Sequence, residues 1–330
     1  MNSEKIKRWL SSGQSFDWES VVWEVFRFQA WENPIYRRYL DLLGRNPENI
    51  KALEDIPFLP VEAFKYHPVR TGDWKETLSF LSSGTTQTHR AVHLIRDIDW
   101  YDQNAESCLS CFLPDFYTYE ILGLLPGYME NPSSSLIHMV KHLAQVAANA
   151  EGEKFLFSEM DEFYARLIQS WEQGRKVLAF GVSFAWLDFA ERYRHPELDI
   201  RIVETGGMKT SVRSISKPEI IDQLLESFPK ARIGSEYGMT EMLSQAYSDE
   251  QMRYRSGSTL KVFVRSAEDP FGPFVVNQRG RIHVVDLANF DTCCFLETGD
   301  LGEVYEDGSF TVIGRLATEA IRGCSLMYEP

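Results

Sequence analysis

The sequence predicts an α/β protein in which mixed sheets are flanked by helices and a small β-rich, barrel-like subdomain follows. Three observations carry this. Short apolar runs alternate with amphipathic helical stretches through the middle of the chain, the pattern of a sheet with helices on its faces. Beyond about Gly257 only short β-type pieces remain, and Asp307-Gly308 is a hairpin-turn signal. A hydrophobic content of 44% and a charged content of 25% over 330 residues suit a globular enzyme of one large or two smaller domains.

Taken in order, residues 1–70 read as a helical and extended region packed on the body. Val21, Val22, Val25 and Phe26, then Tyr36, Tyr39, Leu40 and Leu43, recur at helical spacing. Pro34 interrupts them and Gly44 supplies a stop, so a helix pair is expected. Two prolines in "DIPFLPVEAFK" (Asp55 to Lys65) predict an extended arm instead of a helix. Residues 71–256 form the α/β core. Buried strands are expected at Glu120–Leu125, Lys154–Ser158, Lys176–Gly181, Arg201–Thr205 and Ala231–Ser235. Helices are expected at Ile98–Phe112, Ser135–Asn149, Asp161–Gln173 and Lys217–Phe228. Residues 257–314 are the β-rich subdomain and 315–330 a short tail.

The net charge of -14 argues against an electrostatic nucleic-acid binder, and no apolar stretch is long enough to span a bilayer. The N-terminus lacks the pattern of a signal peptide, and five cysteines without framework spacing suit a reducing compartment, so a cytoplasmic location is expected.

Four loops carry chemistry. "FLSSGTTQTHR" replaces an apolar run with Ser82, Ser83, Gly84, Thr85 and Thr86. Glycine lets successive N–H groups curl toward one point, and such a nest with hydroxyls around it binds anions, phosphate first. The Walker ending is missing, and a polar surface turn is the alternative. In "IGSEYGMTEMLSQAY", Tyr237 offers a flat face for a ring and Gly238 a close approach. Thr240 offers a donor and Glu241 a carboxylate for a divalent cation. The alternative is a strand-to-helix turn with Thr240 as its N-cap. "ETGGMKT" places Gly206 and Gly207 where backbone can approach a flat ring, with Lys209 for an anion. "LETGD" and "IGR" contribute Asp300 for ribose hydroxyls and Arg315 for ribose or phosphate oxygens, a turn residue and a surface charge being the alternatives.

In this order, "SSGTT", "YGMTE", "TGD" and "GR" resemble the core motifs of the adenylate-forming enzymes, which include acyl-CoA synthetases, luciferases and peptide-synthetase adenylation domains. The short length, "FLPVEAFK", "ETGGMK" and the tail "RGCSL" are most similar to the acyl-protein synthetases of bacterial luminescence operons, the LuxE-like family. The resemblance implies the large N-terminal domain of that superfamily without its mobile C-terminal domain, since the chain ends soon after Gly314. It also implies ATP and Mg2+. Ser82, Ser83, Gly84, Thr85 and Thr86 then wrap the β- and γ-phosphates, and Gly206, Gly207 and Tyr237 form the adenine slot. Thr240 holds the α-phosphate, Glu241 the magnesium, and Asp300 and Arg315 the ribose. Three positions depart from the pattern. The catalytic lysine of the C-terminal domain has no counterpart, Ala317 stands where a hinge acid is usual, and His89 and Arg90 lie near the place of the phosphate-loop lysine.

The implied activity is activation of a carboxylic acid, a fatty acid, as its acyl-adenylate, followed by transfer to a protein thiol. Cys324, six residues from the end, is the candidate acceptor, with a reductase or carrier protein as the next recipient. A small apolar residue in a core is its alternative. His138 and Met139 in "SSSLIHMVKHL" are candidates for the acid pocket, or ordinary helix-face residues. Cys108 and Cys111 read as core packing, and a four-ligand zinc site with Cys293-Cys294 is not expected. Two other functions remain open: a ligase delivering to coenzyme A or a carrier protein, and a non-catalytic adenylate binder.

Overall fold

The computed structural model describes residues 6–8, 10, 17–82, 90–128, 131–150, 152–206 and 216–316. They belong to two compact units, one built from the segments up to Asp73 and from Ser258 onward, the other from Trp74–Gly257.

The first segment opens with the expected helix pair, α1 (Trp18–Glu32) and α2 (Pro34–Leu42). Asn33 separates them because its side chain accepts from the amides of Ile35 (3.1 Å) and Tyr36 (2.9 Å), capping α2, while Pro34 presets its first turn. The inward faces bury Val21, Val22, Val25, Phe26, Tyr36 and Leu40. The segment expected to be extended is so at Ile56 and at β1 (Leu59–Pro60). Past Pro60 it winds into one helical turn, α3 (Ala63–Tyr66). Proline constrains the residue before it, and Ala63–Tyr66 lies beyond both prolines.

The central unit begins with a hairpin of β2 (Leu78–Leu81) and β3 (Val92–Ile95), whose connection contains the hydroxyl-rich loop. Then follow α4 (Ile98–Phe112), β4 (Glu120–Leu124), α5 (Ser135–Val146), β5 (Leu156–Phe157), α6 (Met160–Glu172) and β6 (Val177–Val182). Next come α7 (Ser183–Arg192), β7 (Arg201–Thr205), α8 (Lys217–Ser227), β8 (Arg232–Tyr237), β9 (Ala246–Ser248) and β10 (Tyr254–Ser256). Strands β5, β4, β6, β7 and β8 pair in that order and in parallel. Every residue of β4 and β6 is buried, as strands covered on both faces require. After β8 the chain turns back without a helix, and β9 and β10 continue antiparallel. Cys108 is buried on α4 as its periodicity predicts, whereas Cys111, expected in the core, is exposed, because one turn further along it lies past the edge of the inward stripe.

The remainder of the first unit is antiparallel: β11 (Leu260–Arg265), β12 (Arg279–Asp286), β13 (Phe295–Val304) and β14 (Phe310–Arg315). Gly308 sits in the expected hairpin turn with φ +77°. Strand β1 adds in parallel to β13, with Leu59 opposite Leu296. The buried amide of Gln29 ties α1 to this part. Its Nε2 donates to the carbonyls of Asn289, Phe290 and Thr292, and its Oε1 accepts from the amide of Cys294 (2.9 Å). Buried amides are retained where every donor and acceptor finds a partner, and this one does. No helix among the described residues is long and apolar enough to cross a membrane.

Candidate active site

The parallel strands all point their carboxyl ends at one edge of the central sheet. In register, Val182 pairs with Thr205 and Thr205 with Glu236, so Ser183, Gly206 and Tyr237 follow one another across the carboxyl ends of these strands. This is the edge where open α/β sheets bind ligands. Two of the sequence motifs therefore meet there through described residues, Gly206 and the turn Tyr237–Glu241, and the strand that follows the hydroxyl-rich loop in sequence, β3, bonds to that turn.

The anchoring is specific. The root of the hydroxyl-rich loop closes where Ser82 N donates to the carbonyl of Ala91 (3.0 Å) and Ser82 Oγ accepts from the amide of Ala91 (3.0 Å). Two residues along β3, buried His93 places Nδ1 at 2.6 Å from the Thr240 carbonyl oxygen. A carbonyl only accepts, so Nδ1 carries the proton. Ser83, Gly84, Thr85 and Thr86 lie outside the described residues, as do Gly207, Lys209 and Cys324.

Beneath the turn lies a buried polar network that sequence reasoning did not assign. Glu204 accepts from Ser183 Oγ and from Ser235 Oγ (2.5 Å), and pairs with Lys217 Nζ at 3.0 Å. Lys217 also donates to Ser235 Oγ (2.8 Å) and to the Tyr254 hydroxyl (2.9 Å). Burial works against the Lys217 ammonium, but Glu204 and Tyr254 hold its pKa above the ordinary lysine value. Glu236 is buried nearby. Loss of water pushes its carboxyl up to about 7, with Lys217 pulling the other way and Glu204 adding to the rise. A Cβ on Gly238 would lie 2.3 Å from Glu236 Oε1, so the turn passes over that carboxyl only because residue 238 has no side chain.

Tyr237 is 6% exposed and meets the Tyr254 ring edge-on, with centroids 6.0 Å apart. Met242 N donates to the Met239 carbonyl (3.1 Å), so Thr240 and Glu241 occupy a tight turn that leads into an antiparallel strand. Thr240 is thus not the N-cap of a helix. Glu241 is buried at this turn.

On α5, His138 Nε2 lies 2.7 Å from Asp102 Oδ1, and its ring packs against Phe80 and Tyr101. Asp102 also faces His142 Nδ1 (3.4 Å), and His142 Nε2 reaches Glu106 Oε1 (2.7 Å). Met139 is buried and its sulfur accepts from the Tyr247 hydroxyl (3.9 Å). Both helix residues are engaged in packing α5 against its neighbours.

Asp300 and Arg315 belong to the other unit. They are register partners across β13 and β14, and Arg315 Nε donates to Asp300 Oδ1 at 3.2 Å. Gly299, with φ +74°, lies within β13 immediately before the acid, where a left-handed backbone favours glycine. Also in this unit, burial pushes the Cys293 thiol up to about 12 and that of Cys294 well above its usual range, so neither is an available thiolate. No cluster of metal-ligating side chains is present among the described residues.

Comparison with known proteins meets this arrangement. The 2-hydroxyisobutyryl-CoA ligase bound to 2-HIB-AMP superposes with a TM-score of 0.66 at 17% identity, covering 91% of this chain and 67% of that one. The fold is that of the adenylate-forming ligases. ATP-bound MatB from Rhodopseudomonas palustris matches with a TM-score of 0.51 at 15% identity, over 72% of this chain. The chain spans about half of MatB, 47% of its length. Among curated proteins, the long-chain-fatty-acid–luciferin-component ligase of Aliivibrio fischeri is 19% identical over 98% of this chain and 90% of its own length. The likeness to that ligase therefore extends over nearly the whole chain. No family model matches.

The signal for the overlooked network was present in part. A glutamate ending the apolar strand "RIVET", and another inside "RIGSEY", are buried charges that demand partners. Their partner, Lys217, opens a separate helix, and no local pattern links it to either strand.

Proposed function

We propose that the protein is an ATP-dependent acid–thiol ligase that activates a carboxylic acid, specifically a fatty acid, and passes the acyl group to a protein thiol. The observation that carries this reading is the likeness to a fatty-acid ligase along 98% of the chain. The position of Gly206 beside the turn Tyr237–Glu241 on the carboxyl edge supports it.

In the first step a carboxylate oxygen attacks the α-phosphorus of ATP. A new oxygen–phosphorus bond forms, the bond to the β-phosphate oxygen breaks, and pyrophosphate leaves with its electron pair. Two anions must approach, so the residues around them have to absorb charge. Thr240 donates its hydroxyl to the α-phosphate. Its backbone is held by His93, which limits how far that hydroxyl strays. Ser82, Ser83, Gly84, Thr85 and Thr86 hold the outer phosphates. Gly206, Gly207, Tyr237 and Gly238 take the adenine, and Asp300 with Arg315 takes the ribose. Lys209, His138 and Met139 are assigned to the side of the acid. Glu241 is the carboxylate for magnesium, which needs only one or two protein carboxylates when phosphates complete its octahedron, and a single buried acid fits that demand. Magnesium supplies neutralisation of the phosphate charge.

In the second step a thiolate attacks the acyl carbon, and AMP leaves with the electrons of the carbon–oxygen bond. Cys324 is the assigned nucleophile, ahead of a reductase or carrier protein. Exchange of labelled pyrophosphate into ATP that depends on added acid tests the first step. Absence of exchange with aliphatic and aromatic acids alike overturns the ligase reading. For the second step, label from the acid that is released from the protein by hydroxylamine is expected, and its loss in Cys324→Ser. A second reading, delivery to coenzyme A, is favoured by the structural likeness to 2-hydroxyisobutyryl-CoA ligase, crystallised with 2-HIB-AMP and CoA. Label appearing on coenzyme A with none retained on protein selects that reading.

A further inference from the structure

The opposite, amino edge of the same sheet holds a second cavity of about 310 Å³ that the ligase reading does not use. Its lining includes Tyr119, Trp171, Arg175, Lys176, Arg201 and Arg232. Tyr119 immediately precedes β4, Lys176 precedes β6, and Arg201 and Arg232 open β7 and β8. Four cations, Arg175, Lys176, Arg201 and Arg232, thus converge at the starts of three strands, and Asp199 is the single carboxylate in the lining. In a chain with net charge -14 this is a local reversal of sign.

The cations are not equally neutralised. Arg175 pairs with Glu120 (3.1 Å) and Glu153 (3.2 Å), and Lys176 with Asp115 (3.0 Å). Among the described residues Arg232 pairs with the exposed Asp199 at 3.4 Å. Arg201 has no ion pair within 4 Å among the described residues, Asp115 being the acid that feels its charge from further off, and its Nε is buried without a hydrogen-bond partner there. Moreover, Arg201 and Arg232 are direct register partners on adjacent strands. Like charges set side by side oppose folding, and a buried guanidinium nitrogen without an acceptor adds to that cost. Both penalties vanish if an oxyanion bridges the two forks.

The charge balance selects the anion. A carboxylate carries one negative charge, whereas a phosphate monoester carries about -1.5 to -2 at neutral pH and presents three acceptor oxygens to paired guanidinium groups. The walls select what the phosphoryl group is attached to. Trp171 and Tyr119 give the cavity an aromatic lining suited to a flat or apolar body, with Trp171 held in place by its edge-on contact with His195 (4.9 Å). A volume of 310 Å³ admits a small ligand and no polymer.

We propose that this amino-edge cavity is a binding site for a small phosphate monoester, its phosphoryl group held by Arg201 and Arg232 and its body lying against Trp171. The site is independent of the proposed ligase reaction.

The test uses the full chain, with phenyl phosphate and inorganic phosphate as probes. Binding is followed through the indole N–H resonance of Trp171, identified among the eight tryptophans by its loss in Trp171→Phe. Phenyl phosphate is expected to shift that resonance at submillimolar concentration, and inorganic phosphate to bind roughly tenfold more weakly for want of an aromatic contact. Arg201→Gln is expected to weaken phenyl phosphate by at least about tenfold. Arg232→Gln, at an exposed side chain, repeats the test should Arg201→Gln fail to fold. An unmoved Trp171 signal at high millimolar phenyl phosphate overturns the site, and so does full binding in Arg232→Gln or a folded Arg201→Gln. Equal affinity for the two probes overturns the monoester assignment in favour of free phosphate. Pyrophosphate exchange is read separately, so failure here leaves the ligase reading standing, and the reverse holds.

Discussion

The two edges of the central parallel sheet solve the same problem in opposite ways. Each gathers charged residues at strand ends. At the carboxyl edge the charges are buried and fully engaged: Glu204 accepts from Ser183 and Ser235 and pairs with Lys217, itself bonded to Ser235 and Tyr254. At the amino edge one acid, Glu120, is buried between Arg166 and Arg175, but the pairs Lys230–Glu197 and Arg232–Asp199 are exposed, and two arginines stand next to each other. Where loops must be positioned for chemistry, the fold uses charges out of water, because only there do they hold geometry strongly. Exposed pairs hold little, so the amino edge is left with charge to offer.

The sharpest way to break this comparison is Lys217→Met, which leaves Glu204 buried without its cation. A loss of about 3–5 kcal/mol in urea unfolding is expected, with recovery of more than half in the double variant Glu204→Gln/Lys217→Met. A loss under about 1 kcal/mol would make the two edges energetically alike. Next in size is Thr240→Ala. Removing one donor from a developing phosphoryl charge is expected to lower pyrophosphate exchange by about 10²–10³ while the urea midpoint barely moves.

Glu236 supplies a pH signature. Its carboxyl rises from 4.5 to about 7 on folding, so the folded chain binds a proton that the unfolded chain has released between those values. The contribution is full below about 4.5, falls as pH rises, and is spent above about 7. Glu236→Gln keeps the neutral form at every pH. Its stability advantage over the parent should therefore grow from pH 4.5 and level off above 7, reaching a magnitude on the order of 3 kcal/mol. A constant difference across that window would remove Glu236 from the buried, uncharged role. The smallest effect is expected at the amino edge, where Lys230→Ala should cost under about 1 kcal/mol.

Much of this fold is legible in the sequence because it is local. Helix α4 was expected at Ile98–Phe112 and is found there, and strand β7 at Arg201–Thr205 likewise. Apolar periodicity, a capping Asp97 and a following Leu113-Pro114 suffice for the first. What was not legible depends on partners distant in sequence. The helical turn Ala63–Tyr66 hides behind two prolines that act only on residues before them. The turn after Tyr237 reads equally well as a helix start or a hairpin, because Thr-Glu caps helices and fills turns alike. Only the pairing of Glu236 with Tyr247 decides it. The candidate site follows the same division. Tyr237, Thr240 and Glu241 stand out as a motif, whereas His93 and Lys217 become visible only when strands bring them beneath it.

Gln29 carries a last consequence, and it concerns how the chain comes into being. Its amide reaches Thr292, 263 residues downstream, and the unit it helps to build is made from both ends of the described chain. A ribosome delivers α1 and α2 first, with Val22, Val25 and Phe26 destined for a core whose other half is not yet translated. The whole central unit must emerge before β11 to β14 arrive to cover them. Until then an apolar helix pair waits in solvent, an invitation to aggregation or to a chaperone's grip. Synthesis should become productive only once β11 to β14 have emerged, and truncation before β13 should leave the early helices without a home.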